Sequence, residues 1–367
     1  MVKRDEYAEE VAQTFIRMIK EGTAPWRMKW EPGETFVPKN IASGKPYSGF
    51  NSLYLWALSE EMGWKDPRFM TYKQAQEMGG HVRKGEHGAK IIFFTDRKET
   101  AQRDEFGNIV KDPDGKAVML REKLGYAVFR TYTVFNGEQV EGIEPYTQKE
   151  LPTEQLWQNQ GRAEDIMVGS GAIINHVEGG TENYYSPVTD SITLCAKPQF
   201  PTLIDYYSVA FHELSHWTGH ENRLNRDLSN SFGSRAYAQE ELRAELGQFM
   251  ICQNLGLGYE PYELSQTAAY LESWVKVLND KPQEIMAAAA DAQKIMDYVM
   301  AFEPKNSQGH EIENRAVEMA ETLTPEQAKV VQVMEAITAG ASQTEPGPAA
   351  APTRPRPAPQ QQPGLGR

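Results

Sequence analysis

The chain has 367 residues, of which 40% are hydrophobic, 10% aromatic and 24% charged. This composition is that of an ordinary soluble globular protein, and it excludes a collagen, a coiled coil and a wholly disordered chain. The length predicts two domains. No run approaches the ~18 consecutive apolar residues of a membrane span and no signal peptide is visible, so we expect a cytoplasmic protein without a membrane partner. Two cysteines, Cys195 and Cys252, cannot form a disulfide framework.

Charge is distributed unevenly along the chain. The formal net charge is −13, but residues 1–140 contain 22 Lys/Arg and 20 Asp/Glu, which leaves 16 basic and 31 acidic residues for the remainder. The balance is therefore +2 in the N-terminal part and −15 in the rest. A near-neutral part can carry a local basic groove, whereas the acidic part would repel a polyanion such as a nucleic acid.

Residues 1–144 predict a domain that mixes helices and strands. Apolar residues at helical spacing indicate helices over 7–20, 51–63 and 71–78. Runs rich in β-branched and aromatic residues predict strands over 90–94 and 125–135. The charged, glycine-containing segment 104–114 between these strands predicts the end of a hairpin or an insertion.

The second half predicts a mainly helical domain over 161–340, after a polar linker over 145–160. Short strands over 172–176 and 191–196 precede a long helix whose expected N-cap is Asp205. The tail, 341–367, has 7 prolines in 27 residues and a glutamine run, so we expect it to be disordered. The predicted fold class is α+β, with two domains and this tail.

The strongest functional pattern is His212-Glu213-Leu214-Ser215-His216. Residues four apart on a helix stand one above the other, so both imidazoles can bind one ion. Glu213 beside them could take a proton from a metal-bound water, which makes it the predicted catalytic base of a metal-dependent hydrolase. We expect Zn²⁺, although Mn²⁺, cobalt or nickel could occupy the same ligands.

A catalytic zinc site needs a third protein ligand. His220 lies about 12 Å along the helix axis from His212, too far for a straight helix to bring both to one ion. Asn222 stands where the pattern HExxHxxGxxH would place its third histidine, although Gly219 matches that pattern. The remaining candidate is an acidic residue further along the chain.

A second long helix is predicted over 236–255, and two of its glutamates share one face. Glu241 and Glu245 are four apart, whereas Glu240 points about 100° away from Glu241. A glutamate ligand followed one turn later by a carboxylate that orients an imidazole resembles the arrangement in thermolysin-like peptidases. On this resemblance we predict Glu241 as the third ligand and Glu245 as the orienting residue, with no role for Glu240. An exposed acidic helix face is the alternative interpretation.

Aromatic and basic residues are interleaved in the N-terminal half, as in proteins that stack bases and neutralise phosphates of single-stranded nucleic acid. The segment APWRMKWEPG, for example, places Trp26 and Trp30 beside Arg27 and Lys29. Composition alone does not show whether these aromatic residues line a DNA-binding groove or pack in the core, because most aromatic side chains are buried. The candidate DNA-binding residues are Trp26, Lys45, Tyr47, Asn51, Tyr72, Lys73, Gln74, Arg83 and Lys84.

Several segments together resemble one family. PKNIASGKPYSGFNSLYL, MTYKQAQEMGGHVRKGEHGAKI and YTVFNGEQVEG look like the N-terminal single-stranded-DNA-binding domain of ArdC-type antirestriction proteins, also found in front of TraC-type primases. FHELSHWTGHENRLNR and YAQEELRAELGQFM are similar to the zincin-like metallopeptidase domain of the same proteins. The resemblance covers residues 5 to 300, and no primase catalytic domain is visible after it.

The resemblance implies a DNA-binding module joined to a metallopeptidase fold, carried by a plasmid, conjugative element or phage, that protects incoming single-stranded DNA from restriction. By position it implies His212, His216 and Glu241 as metal ligands and Glu213 as general base. For the DNA groove it implies Trp26, Tyr47, Asn51, Lys73, Gln74, Arg83 and Lys84. The implied partners are single-stranded DNA and an unidentified protein substrate. Two alternatives stay open: a DNA-binding protector whose metal site is structural or catalytically silent, and a processing peptidase whose N-terminal half binds protein.

Overall fold

The computed structural model describes residues 4–32, 36–113, 115, 117–148, 153–228, 234–261 and 268–304. These residues belong to one compact unit that spans Met1–Pro304. The predicted tail, 341–367, and the end of the predicted second domain, 305–340, lie outside the described residues. Among the residues described, no helix is both long enough and apolar enough to cross a membrane.

In the N-terminal half, helices pack against a four-stranded sheet. The helices are α1 (Arg4–Glu21), α2 (Gly49–Met62) and α3 (Tyr72–Glu77). The strands are β1 (Lys39–Asn40), β2 (Arg68–Thr71), β3 (His81–Val82), β4 (Ala89–Ala101), β5 (Met119–Asn136) and β6 (Val140–Glu141). The sheet order is β1-β2-β5-β4, and β3 pairs with β6 in a separate ladder. The three predicted helices are confirmed.

The hairpin of β4 and β5 is longer than the sequence pattern indicated. Charged residues at 96–99 and 121–123 interrupt the apolar alternation, so the pattern located only the inner part of both strands. Backbone pairing nevertheless continues outward, because antiparallel ladder hydrogen bonds do not depend on side-chain polarity. The predicted hairpin end over 104–114 is confirmed by the antiparallel bridge between Arg103 and Ile109.

Helices dominate the second half. They are α4 (Thr153–Gly169), α5 (Leu203–Trp217), α6 (Arg235–Leu255), α7 (Ala268–Asp280) and α8 (Glu284–Met300). The strands are β7 (Ile173–Val177), β8 (Tyr184–Ser186) and β9 (Ser191–Cys195). They form a sheet of order β7-β9-β8, in which β9 runs parallel to β7 and antiparallel to β8. The α+β class is thereby confirmed.

Two predicted boundaries are wrong. α4 begins at Thr153, inside the predicted linker, because a few buried positions such as Ile166 anchor an otherwise polar helix. Asp205 is not the N-cap of α5. Thr202 caps the helix: its hydroxyl accepts a hydrogen bond from the Asp205 amide at 3.2 Å, and the Asp205 carboxylate accepts one from the Thr202 amide at 2.7 Å. Asp205 therefore closes a capping box from inside the first turn.

A single hydrophobic core crosses the predicted domain boundary at residue 144. The ring of Trp56 on α2 lies 4.7 Å from that of Phe249 on α6, measured between centroids. The rings of Trp30 and Tyr259 stack at 5.8 Å. The two halves of the chain therefore share one packed interior, although each carries its own sheet.

Candidate metal centre

His212 and His216 lie one turn apart on α5 and face the same point. The Nε2 atoms of the two rings are 3.2 Å apart, and the ring planes meet at 81°. Only 1% of the His212 side chain is exposed. Because the rings converge through their Nε2 atoms, both can offer a lone pair to one ion.

Glu241 on α6 completes the cluster. Its Oε2 lies 3.4 Å from Nε2 of His212, and its Oε1 lies 3.5 Å from Nε2 of His216. The three ligand atoms all lie within 4.8 Å of one another. His220 and Asn222, the other positions weighed in the sequence, are not part of this cluster; the ring Nδ1 of His220 instead accepts a hydrogen bond from the Asn222 amide at 3.3 Å.

Gly247 allows α5 and α6 to approach closely enough for these ligands to meet. A Cβ atom at this position would lie 3.0 Å from Oγ of Ser215 on α5 and 2.9 Å from Cγ2 of Ile295 on α8. Both distances are too short for a methyl group without a shift of the helices. The sequence pattern gave no sign of this role.

The imidazole of His212 is oriented through its other nitrogen. Nδ1 lies 3.3 Å from Oε1 of Gln248 and 3.5 Å from Oε2 of Glu245. The Gln248 amide nitrogen donates to the carbonyl of Glu260 at 3.0 Å, which leaves its oxygen to face the ring. Nδ1 therefore keeps its proton, and Nε2 is the nitrogen that would offer a lone pair to an ion shared with Glu241.

Glu240 also lies in the site, so the prediction that it points away is wrong. Its Oε1 lies 3.2 Å from Nδ1 of His216. Arg226 holds the same carboxylate through two hydrogen bonds, Nη2 to Oε1 at 2.8 Å and Nε to Oε2 at 3.0 Å. The helical-wheel argument failed because α6 crosses α5 at an angle. His216 therefore contacts Glu240, whereas His212 contacts Glu245 on another face of α6.

Glu213 is buried beside the two imidazoles and is 3% exposed. Its carboxylate accepts a hydrogen bond from the backbone amide of Tyr185 on β8, an edge strand of the three-stranded sheet. Burial raises the pKa of Glu213, against the opposing effect of His212 and His216. A carboxylate with a raised pKa is a better proton acceptor near neutral pH than an exposed one.

The charges of the site fit a bound cation. Four buried carboxylates, those of Glu213, Glu240, Glu241 and Glu245, surround the imidazoles, and the guanidinium of Arg226 pairs with Glu240 alone. Burial lowers the pKa of His216, but Glu241 and Glu240 outweigh this effect and raise it to about 9. Burial likewise raises the pKa of Glu241, but the two histidines outweigh it and lower the pKa. The cluster thus attracts positive charge, which a divalent ion supplies.

The candidate DNA-binding residues fall into different environments. Trp26 is fully buried in the core, so it offers no ring face to a base and its prediction is wrong. The Asn51 amide is engaged with the backbone of Ile92 at 2.7 and 2.9 Å, where it holds α2 on the edge of β4. Arg83 pairs with Glu86 at 2.9 Å.

The other candidates partly gather around Asn40. The Asn40 amide nitrogen lies 3.4 Å from the Tyr47 hydroxyl and 3.2 Å from Oε1 of Gln74. Gln74 also forms a capping box with Thr71 at the start of α3. The exposed members of the predicted set are Lys45, Tyr72, Lys73, Arg83 and Lys84.

The fold and the metal centre define a zincin-like protein with a distinct N-terminal domain. A family model described as a zincin-like metallopeptidase matches residues 161–291. A second family model, the N-terminal domain of anti-restriction factor ArdC, matches residues 5–135. The chain belongs to the ArdC family of antirestriction proteins.

Solved structures support this membership. The metal-free crystal structure of the antirestriction protein ArdC from plasmid R388 is similar with a TM-score of 0.61 and 31% identity, over 80% of this chain and 97% of that one. The Mn(II)-bound crystal structure gives a TM-score of 0.62 and 30% identity, over 82% and 99%. That ion and the zincin-like fold together indicate a divalent metal for this centre.

Curated relatives extend the comparison. Two proteins named DNA primase TraC, from Escherichia coli, are 45% identical over 310 and 324 residues, which is 84% and 88% of this chain but only 21% and 29% of theirs. The chain therefore spans less than a third of these primases. The uncharacterized protein y4eC of Sinorhizobium fredii (strain NBRC 101917 / NGR234) is 36% identical over 311 residues, 84% of this chain and 95% of that protein.

Proposed function

We propose that this antirestriction protein binds single-stranded DNA through its N-terminal half and hydrolyses peptide bonds at the His212, His216 and Glu241 centre. The observation that carries the second part is the convergence of three ligand atoms with a buried fourth carboxylate, Glu213, beside them. A purely structural zinc site has no need of such a residue and closes its fourth position with protein.

The two histidines and Glu241 would hold the ion. Zn²⁺ suits two imidazoles and a carboxylate, and Mn²⁺ is the ion in the R388 relative. When bound, such an ion lowers the pKa of a water and polarises a carbonyl. Glu213 would accept the proton of that water and return it to the leaving amine. Glu245 and Gln248 would orient His212, and Glu240 would orient His216.

Several observations support DNA as the partner of the N-terminal half. Its charge balance is +2, against −15 for the rest of the chain. It also exposes basic and aromatic side chains, of which Lys45, Tyr72 and Lys84 are examples. Relatives are named antirestriction protein and DNA primase, and the second name states an action on DNA. Binding should tolerate any sequence, because phosphates and ring faces are common to all bases.

The experiment measures both activities on the full chain. Hydrolysis of unfolded casein is followed with and without oligo-dT, for the wild type and for Glu213→Gln, and DNA affinity is followed by fluorescence anisotropy. We expect metal-dependent hydrolysis that Glu213→Gln abolishes, and DNA affinity that falls as salt rises. Absence of hydrolysis under all conditions would favour the protector with a silent metal site. Absence of DNA binding would exclude the DNA-binding part.

A further inference from the structure

The β4–β5 hairpin carries two exposed aromatic rings on one face. Phe93 is 53% exposed and Tyr132 is 44% exposed. Their ring centroids lie 6.4 Å apart and the planes meet at 78°. In this edge-to-face arrangement neither ring covers both faces of the other, and both rings are far more exposed than the aromatic residues of the core.

The strand register places an arginine beside them. Arg130 lies directly opposite Phe93, and Tyr132 lies opposite Ile91. Residues two apart on a strand point to the same face, so Phe93, Arg130 and Tyr132 form one continuous group. We call this group the hairpin platform.

The hairpin platform begins where α2 stops covering the sheet. Ala89, Ile91 and Val134 on the same face are buried against Leu55 of α2. Two residues further along each strand, Phe93 and Arg130 lie opposite each other and are exposed. The platform is therefore the uncovered continuation of a packed sheet face.

Arg130 differs from two of the basic residues predicted for the DNA groove, which are paired with carboxylates. Lys73 lies 3.5 Å from Glu77, and Arg83 lies 2.9 Å from Glu86. Arg130 is exposed, and within the described ranges no carboxylate forms an ion pair with it. An unpaired guanidinium beside two exposed rings suits a ligand that presents both negative charge and flat aromatic groups.

We propose that the hairpin platform is a stacking site for single-stranded DNA, in which Phe93 and Tyr132 contact bases and Arg130 contacts a phosphate. A single strand offers base faces that a duplex keeps stacked inside, and guanidinium groups neutralise its phosphates. The proposal rests on the proposed DNA binding and places it at residues that the sequence analysis did not select.

The test compares full-length variants by anisotropy with fluorescein-labelled oligo-dT. Phe93→Ala and Tyr132→Ala should each weaken binding by about 5-fold to about 150-fold, the range typical of a lost base–aromatic stack. Tyr132→Phe keeps the ring and should bind like the wild type. Arg130→Gln should lower the slope of log affinity against log salt by about one unit.

Two exposed aromatic residues elsewhere serve as matched controls. Phe106 is 81% exposed at the far end of the same hairpin, and Trp157 is 67% exposed on α4; Phe106→Ala and Trp157→Ala should leave affinity unchanged. If the wild type binds oligo-dT and the Phe93 and Tyr132 variants bind as tightly, the hairpin platform is not the DNA-binding site, although the protein binds DNA elsewhere. If the wild type itself does not bind, the proposed DNA binding fails.

Discussion

Trp30 and Tyr259 exchange two backbone hydrogen bonds, with N···O distances of 3.2 and 2.9 Å, and their rings stack. This pairing joins the N-terminal half to the support of the metal centre. The Tyr259 hydroxyl lies 2.7 Å from the carbonyl of Trp26 and 3.0 Å from Oε1 of Glu245, whose other oxygen faces His212. The N-terminal segment thus contacts the residues that orient a metal ligand.

Removal of the Tyr259 hydroxyl should weaken metal binding. Tyr259→Phe leaves the buried Glu245 carboxylate without one partner, which should cost about 1–3 kcal/mol of unfolding free energy. Glu245 would then hold His212 less firmly, and we expect metal affinity to fall by ~10-fold. Tyr206→Phe is the control. The Tyr206 hydroxyl lies 2.9 Å from Nε2 of His176, which is not one of the metal ligands. Equal metal affinity in both variants would contradict this role of Tyr259.

Glu240 should matter for metal affinity even though it is not a ligand. Glu240→Ala removes the partner of His216 Nδ1 and leaves Arg226 unpaired, so we expect a ~10–100-fold loss of affinity in a metal competition titration. Glu284→Ala removes a partly buried ion pair with Arg243 at 2.7 Å outside the site, where Arg243 keeps Asp291 as a partner; it should lower stability without changing metal affinity. An unchanged affinity in Glu240→Ala would show that His216 needs no orienting carboxylate.

Helical spacing predicted that the two histidines share one face and that Glu241 and Glu245 share another, and the resemblance to thermolysin-like peptidases selected Glu241 as the ligand, which the structure places beside both histidines. Helical spacing missed Glu240 and Gln248, since their contacts depend on how α6 crosses α5, and spacing within one helix does not contain that angle. The interleaving of aromatic and basic residues misplaced Trp26. An aromatic residue in a loop carries no periodic neighbours that would reveal whether it faces the core or the solvent.

Metal affinity should rise with pH up to about 9. In the metal-free protein the pKa of His216 is about 9, above the ~6.5 of an unfolded histidine. Its contribution to metal-free stability is therefore fully present below about pH 6.5 and is lost as the pH rises through about 9. The ion needs both imidazoles neutral. Burial lowers the pKa of His212 as well, but Glu241 and Glu245 outweigh this effect and raise it. Binding therefore releases protons, and affinity should increase at least ~10-fold per pH unit below about 9. Affinity that stays constant between about pH 7 and about pH 9 would contradict these contacts.

The predicted N-terminal domain should not fold as an isolated fragment. A fragment of residues 1–144 lacks α6 and so exposes Trp56, which packs on Phe249, and Trp30, which stacks on Tyr259. We expect red-shifted tryptophan fluorescence and no cooperative unfolding transition. The matched fragment is 1–304, which contains all of the described core and should unfold cooperatively. Cooperative unfolding of 1–144 would show that the shared core is dispensable for the N-terminal half.

Metal content tests the centre most directly. Wild type, Glu213→Gln and Glu241→Gln are stripped with a chelator, reloaded with Zn²⁺, desalted and measured by elemental analysis beside their casein hydrolysis. The wild type and Glu213→Gln should each retain about one ion per chain, and Glu213→Gln should be inactive because Glu213 acts on the water. Glu241→Gln should lose the ion. A metal-free Glu213→Gln protein, or a Glu241→Gln protein loaded like the wild type, would contradict the assignment of ligands and base.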